Sequence, residues 1–229
     1  MALAVTEYAT RDGLMQAAAQ QIADALADAI ARRGEGCAAL SGGSTPEPAY
    51  RALAKLPLDW PKIALALVDE RFVPPSHSAS NQAMIETALA AALGAGAQLR
   101  PMYAAASSAA EAADIANALY APLAFDIAVM GMGADGHTAS WFAGADALDR
   151  TLDLNNPRTV ISLHAAQADG SSERLTLTRS AVCRARRLLL LLTGADKRRR
   201  LEGALSGDWA PVTALFDRAM PRPAVLWAP

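Results

Sequence analysis

The sequence predicts a three-layer α/β/α fold built on a mostly parallel sheet. Three observations predict it. Short apolar runs at residues 37–40, 63–68 and 125–130, the last interrupted only by Asp126, read as strands buried on both faces. Stretches of helical periodicity separate them. Gly, Ser, Asp, Arg and His residues collect where the apolar runs end, which is where ligands bind in such sheets. The chain has 229 residues, 52% of them hydrophobic and 19% charged. We expect one domain, 1–229, because single cores stop growing near ~250–300 residues.

The elements follow in order. In the first helix Asp12 is expected to cap, Met15, Ala18, Ile22, Ala25, Leu26 and Ala29 share the apolar face, and Gly34 follows the last turn. Strand 37–40 runs into Ser41-Gly42-Gly43-Ser44-Thr45-Pro46, and a helix through Tyr50 and Leu53 comes next. Strand 63–68 ends in Asp69-Glu70-Arg71. Ser80 starts a helix that runs to about Leu93, and residues 111–120 are helical. Strand 125–130 ends in Gly131-Met132-Gly133-Ala134-Asp135-Gly136-His137. Residues 159–163 and 174–178 read as strands. Residues 188–193 form a strand before a helix that begins near Ala195, and 224–227 form a last, edge strand.

Composition excludes several functions. Lys plus Arg is 21 and Asp plus Glu is 23, a formal net charge of −2. A chain so near neutral lacks the footprint of a general nucleic-acid binder, and 5% aromatics leave no stacking platform for single strands. Cys37 and Cys183 cannot build a disulfide framework, and both read as buried free thiols in a reducing compartment. The start, Met1-Ala2-Leu3-Ala4-Val5-Thr6-Glu7, has no basic region and no long apolar stretch, so no signal peptide is expected. The most apolar run, Leu188 to Leu192, falls far short of the ~20 residues that span a bilayer. A cytoplasmic protein with no membrane partner is expected.

The strand ends carry the chemistry. In the 41–46 loop two glycines permit tight backbone, Ser44 and Thr45 offer hydroxyls and a helix cap, and Pro46 suits a first helical turn. Exposed amides there suit an anion. No Gly-Lys-Ser/Thr follows, so this is not a Walker loop. Asp69 and Arg71 close a strand, where a charged triplet is either solvated or turned toward a polar ligand. Arginine suits bidentate phosphate recognition. Residues 131–136 match G-x-G-x-x-G literally. The acidic residue a dinucleotide site needs has its counterpart only in Asp153, inside a polar stretch, and the motif lies mid-chain. His137 instead reads as a general base on a glycine-bounded turn, with Asp135 two residues before it, or else as a helix cap. His77, in a Pro/Ser-rich loop, reads as solvated. His77, His137 and His164 have no metal-ligand spacing, so no zinc site is expected. Lys197 falls in the first turn of a helix, where anions are favoured. Arg198, Arg199 and Arg200 read as a solvated face.

Taken in order, these residues resemble a known family. Ser41-Gly42-Gly43-Ser44-Thr45-Pro46, Asp69-Glu70-Arg71, Ser80-Asn81, Gly131-x-Gly133-x-Asp135-Gly136-His137-Thr138-Ala139-Ser140, Arg174-Leu175-Thr176-Leu177-Thr178 and Gly194-x-x-Lys197 look like the 6-phosphogluconolactonase family over nearly the whole chain. The resemblance implies the Rossmann-like sheet of the phosphosugar isomerase/deaminase type. It implies hydrolysis of 6-phospho-D-glucono-1,5-lactone in the pentose phosphate pathway, with no cofactor, no metal and a small phosphosugar lactone as partner, in a monomer or homodimer. It carries the role of base to His137. It carries phosphate binding to Ser41, Gly42, Gly43, Ser44, Thr45, Arg71 and Lys197, with Arg174 near the substrate. Two departures stand out. Trp141-Phe142 replaces the usual Leu-Phe, and residues 165–172 lack the usual prolines.

A lactone is an activated ester, so a base-activated water suffices. On that reading Asp135, or a neighbour, orients His137, and Asp69 or Asp135 is the next candidate catalytic base. Amides of the glycine-rich turn hold the developing oxyanion, and Gly133 is among the substrate-binding residues. Two alternatives stay open. A glucosamine-6-phosphate deaminase uses the same scaffold, but Thr138-Ala139-Ser140-Trp141-Phe142 lacks its acidic residue. A non-enzymatic sugar-phosphate sensor normally carries a DNA-binding segment, and the first helix here leads straight into the sheet.

Overall fold

The structure, a computed structural model, describes residues 3–229, so Met1 and Ala2 of the stretch read for a leader lie outside it. Strand β1 (Val5–Glu7) precedes helix α1 (Arg11–Arg33). Then follow β2 (Gly36–Leu40), α2 (Glu47–Leu53), β3 (Ile63–Leu67) and β4 (Asp69–Arg71). Helices α3 (Asn81–Ala88) and α4 (Ala90–Gly94) lead to β5 (Gln98–Arg100), α5 (Ala109–Tyr120) and β6 (Ile127–Met130). The chain continues through α6 (Leu148–Leu152), β7 (Val160–His164), β8 (Glu173–Leu177), α7 (Arg179–Cys183), β9 (Arg187–Thr193), α8 (Ala195–Leu205) and β10 (Ala224–Ala228).

Seven strands form one parallel sheet in the order β1-β10-β9-β6-β2-β3-β5, with helices flanking it. The expected α/β architecture is present. A second, antiparallel sheet of β4, β8 and β7 stands beside it, and both strands expected at 159–163 and 174–178 belong there. Every residue of β2 and β6 is buried, as continuous apolar runs dictate. The alanine-rich face of α1, with Leu14, Ile22 and Leu26 fully buried, packs on β2, β6, β9 and β10. Small side chains let that helix lie close to the sheet.

Several expectations are corrected. Thr10, not Asp12, caps α1: its backbone is extended and its Oγ1 accepts from Gly13 N at 3.1 Å. Asp12 sits inside the first turn, where its charge favours the helix dipole. Gly34 does end the helix, in the left-handed region at φ 85°. The helix from Ser80 breaks at Leu89, whose φ of −107° and ψ of 20° leave the helical region. Residues 224–227 are no edge strand. The edge is β1, too short to signal itself, and β10 lies between it and β9. Cys37 is buried, and burial pushes its thiol up to about 12, but Cys183 is only half-buried and donates to Ala219 O. Among the described residues, no helix is long and apolar enough to cross a membrane.

Candidate active site

Strand order decides where a cavity opens. From β2 the chain passes to β3 on one side and later to β6 on the other, so the loops leaving β2 and β6 diverge at a switch point. A cavity of about 420 Å³ opens there. All the candidate residues line it: Ser41, Gly42, Gly43, Ser44 and Thr45 after β2, and Asp69 and Arg71 on β4. Gly133, Asp135 and His137 follow β6, Arg174 lies on β8 and Lys197 on α8.

The loop after β2 is held at its ends and open in its middle. Ser41 N donates to Val129 O at 3.1 Å, and Ser41 O accepts from Tyr50 Oη at 2.9 Å. The Ser41 hydroxyl is buried without a partner. Gly42 must be glycine, since a Cβ there would sit 1.8 Å from Asn81 Oδ1. Among the described residues, the amides of Gly42, Gly43, Ser44 and Thr45 donate to no protein acceptor. The expected cap by Ser44 or Thr45 is absent, because Pro46 holds the N-cap position of α2 without a side-chain bond. Those hydroxyls are left for a ligand.

The turn after β6 shapes the histidine. Asp135 Oδ1 lies 2.6 Å from His137 Nδ1 and also accepts from His137 N at 3.1 Å. The hydrogen bond from His137 holds the Asp135 carboxyl down at about 2. A carboxylate so acidic only accepts, so Nδ1 carries the proton. Nε2 of the neutral ring is then the basic nitrogen, and it has no protein partner among the described residues. A Cβ on Gly133 would lie 2.2 Å from His137 Cε1, so glycine there makes room for the imidazole. The amides of this turn divide into two groups. Gly133 N already donates to His137 O at 2.9 Å, and Gly136 N to Gly133 O at 3.1 Å. Their partners are internal, which leaves Gly131, Met132, Ala134 and Asp135, among the described residues, with amides that donate to no other residue. No helix follows His137 directly, so it caps none.

Asp69-Glu70-Arg71 is not a solvated triplet but a strand of the small sheet. Glu70 is fully buried and accepts from Arg71 N, Asn81 N, Gln82 N and Ser80 Oγ. Burial pushes its carboxyl up, against those four bonds. Asp69 accepts from Ser140 Oγ at 2.6 Å. Arg71 pairs with Arg174 in the β4–β8 ladder, so two guanidiniums stand opposite each other at the cavity. Like charges so placed repel, and an anion between them removes the repulsion. Arg174 meanwhile donates to Ser171 O at 2.8 Å and to Asp169 O. Lys197 is half-buried. Burial lowers its ammonium pKa, and the Asp135 charge opposes that.

Sequence reasoning missed Asn81, Phe142, Gln167 and Asp169, which also line the cavity. Asn81 stood in the quoted Ser80-Asn81 pair, and Phe142 two residues past the histidine block. Gln167 and Asp169 lie in a loop with no motif. The basic run is not a solvated face either. Arg199 is exposed, but Arg198 stacks on Trp227 at 4.7 Å and pairs with Glu7, and Arg200 reaches the turn of Asp135.

A parallel α/β sheet with a His–Asp pair and three cations around its switch-point cavity defines an α/β enzyme of anionic small molecules. The chain belongs to the family of glucosamine-6-phosphate isomerases and 6-phosphogluconolactonases, whose model matches residues 9–226. A 6-phosphogluconolactonase of Rhizobium meliloti (strain 1021) is 43% identical over 224 residues, 94% of each chain. One of Mesorhizobium japonicum is 41% identical over 226 residues, 97% of this chain and 94% of that one. The crystal structure of a 6-phosphogluconolactonase from Shewanella baltica OS155 superposes with a TM-score of 0.93 at 30% identity, covering 100% of this chain and 98% of that one.

Proposed function

We propose that this chain, acting as one domain over 1–229, hydrolyses 6-phospho-D-glucono-1,5-lactone to 6-phosphogluconate, a step of the pentose phosphate pathway. One observation carries the reading: a single cavity holds an imidazole with a free basic nitrogen, unbonded loop amides and three cations. The family and the relatives named above support it.

His137 Nε2 takes a proton from water as the water attacks C1 of the lactone. Asp135 fixes the tautomer and stabilises the imidazolium that forms. Negative charge grows on the former carbonyl oxygen, and the unbonded amides of the turn, those of Met132 and Ala134 among them, are the donors at hand. Collapse of the intermediate expels the ring oxygen, which regains a proton from His137. The phosphate is held by the Gly42–Thr45 amides, Arg71 and Lys197, with Arg174 beside them. Its binding energy positions the distant ring. Asp69, bonded to Ser140 and Asn81, is a scaffold in this scheme. The water needs no metal to activate it.

The test is a coupled assay in which lactone made by glucose-6-phosphate dehydrogenase disappears faster than its spontaneous hydrolysis, with and without EDTA. Ammonia release from glucosamine 6-phosphate would mark a deaminase instead. Lactone binding without turnover would mark a sensor.

A further inference from the structure

Arg200 lies on α8, one turn beyond Lys197, and does not line the cavity. Its side chain is 22% exposed and makes four contacts. Nε donates to Asp135 O at 3.2 Å. Nη1 donates to Asp208 O at 3.0 Å and to Asp208 Oδ2 at 2.9 Å, and Nη2 reaches Trp209 O at 3.4 Å. The guanidinium therefore joins the backbone of the histidine turn to the loop after α8. A second contact runs alongside, since Val212 N donates to Gly136 O at 3.0 Å. Gly136 sits at φ 91°, and a Cβ on it would lie 2.5 Å from Ala210 Cβ and 3.3 Å from Arg200 Nε. The peptides on either side of Gly136 are thus clamped from outside the cavity. Those peptides set where Asp135 Oδ1 meets His137 Nδ1.

We propose that Arg200 is a positioning residue for the Asp135–His137 pair. The proposal rests on the lactonase reading for its rate effect but on the turn alone for its geometry. A planar, five-donor group suits the task, because it bonds three carbonyls and a carboxylate at once. Lysine, a single point charge, cannot span them. Water and lactone would meet an imidazole whose direction Arg200 fixes, while the phosphate anchor stays untouched.

The test compares the wild-type protein with Arg200→Met, Arg200→Lys, Asp208→Ala and Arg199→Met. Arg199, 68% exposed beside Asp196, is the control. Lactone hydrolysis is followed for kcat and KM, with inhibition by inorganic phosphate and thermal unfolding measured on each. Expected for Arg200→Met is a kcat at least ~10-fold lower, the loss of one well-aligned interaction of ~1.4 kcal/mol, with KM and phosphate inhibition within about twofold. Arg200→Lys and Asp208→Ala fall between, and Arg199→Met matches wild type. A kcat for Arg200→Met within twofold of wild type overturns the proposal. So does a rise in KM and phosphate inhibition that matches the loss of kcat. An activity-independent measurement covers misfolding and a failed function. The ring resonances of His137, assigned with His137→Asn, are expected to shift in folded Arg200→Lys and Asp208→Ala and not in Arg199→Met. Unshifted resonances overturn the proposal. A wild-type protein that does not hydrolyse the lactone overturns the function alone, and the resonances still decide the role of Arg200.

Discussion

The ring of Phe142 packs against the imidazole of His137, with centroids 4.2 Å apart and planes tilted by 33°. The guanidinium of Arg174 lies 5.5 Å from the centroid of that same ring. One buried aromatic thus touches the proposed base and a cation of the cavity together. Phe142→Leu keeps the apolar bulk and removes the stack. Aromatic pairs are worth ~0.5–1.5 kcal/mol beyond burial, so we expect kcat to fall roughly 2–10-fold in a folded protein. Steady-state kinetics check this, and an unchanged kcat would show that the stack plays no part in turnover.

His137→Ala removes the base. A general base typically contributes ~10²–10⁴-fold, and we expect kcat to fall by about that factor while phosphate inhibition persists. His77→Ala and His164→Ala are expected near wild type, since neither residue lines the cavity. Near-normal turnover by folded His137→Ala would remove this histidine from the mechanism.

Asp135 gives a pH dependence with a definite sign. Its folded pKa, about 2, lies below the ordinary aspartate value, chiefly because His137 bonds to it. The pair therefore adds stability above pH ~4, and that stability is lost as pH falls toward ~2. Half-exposure keeps the gain small. Asp135→Asn keeps the shape and loses the charge. Acid unfolding of this variant is expected to depend less on pH between ~4 and ~2, and its kcat to drop at neutral pH. An acid-unfolding curve identical to wild type would contradict the sign.

The three cations of the cavity form the proposed phosphate anchor. Loss of a hydrogen bond to a charged group costs ~1.5–3 kcal/mol, so Arg71→Ala, Arg174→Ala and Lys197→Ala should each raise KM roughly 10–100-fold. Gluconolactone without phosphate should be a far poorer substrate. Equal efficiency on the two lactones would show that the anchor lies elsewhere.

Glu70 tests the scaffold. Glu70→Gln places an amide NH₂ against backbone donors that now find acceptors. Leaving such donors unpaired costs ~1–3 kcal/mol each, and we expect the melting temperature to fall by roughly 4–10 °C. An unchanged melting temperature would mean the amide finds new partners.

What the sequence revealed was local, and what it hid was not. The 41–46 loop and the 131–137 turn announced themselves because glycine, hydroxyl and histidine chemistry is written in consecutive residues. Arg71 was legible as a ligand residue but not as a strand residue, because its ladder partner, Arg174, lies far along the chain. Thr10 and Asp12 are both good caps, and only backbone geometry chooses between them. Strands β1 and β5 are three residues long, too short for periodicity. Arg200 looked like one of three equivalent arginines until Asp135, distant in sequence, came against it. Phe142 was noted only beside Trp141; it is buried, and its contact with His137 needed coordinates.

Val68 sits where the chain leaves one sheet for the other. Its N–H donates to Leu40 O at 2.9 Å in the large sheet, and its carbonyl accepts from Leu177 N at 2.8 Å in the small one. It is wholly buried. One residue therefore ties the two walls of the cavity together. Swinging the walls apart would break one of these bonds in a place no water reaches, at a cost of ~1–3 kcal/mol for each group left unpaired. The two sheets are thus joined beside the cavity, and the 165–172 loop, which adds Gln167 and Asp169 to the lining, is tied down through the side chains of Gln167 and Arg174.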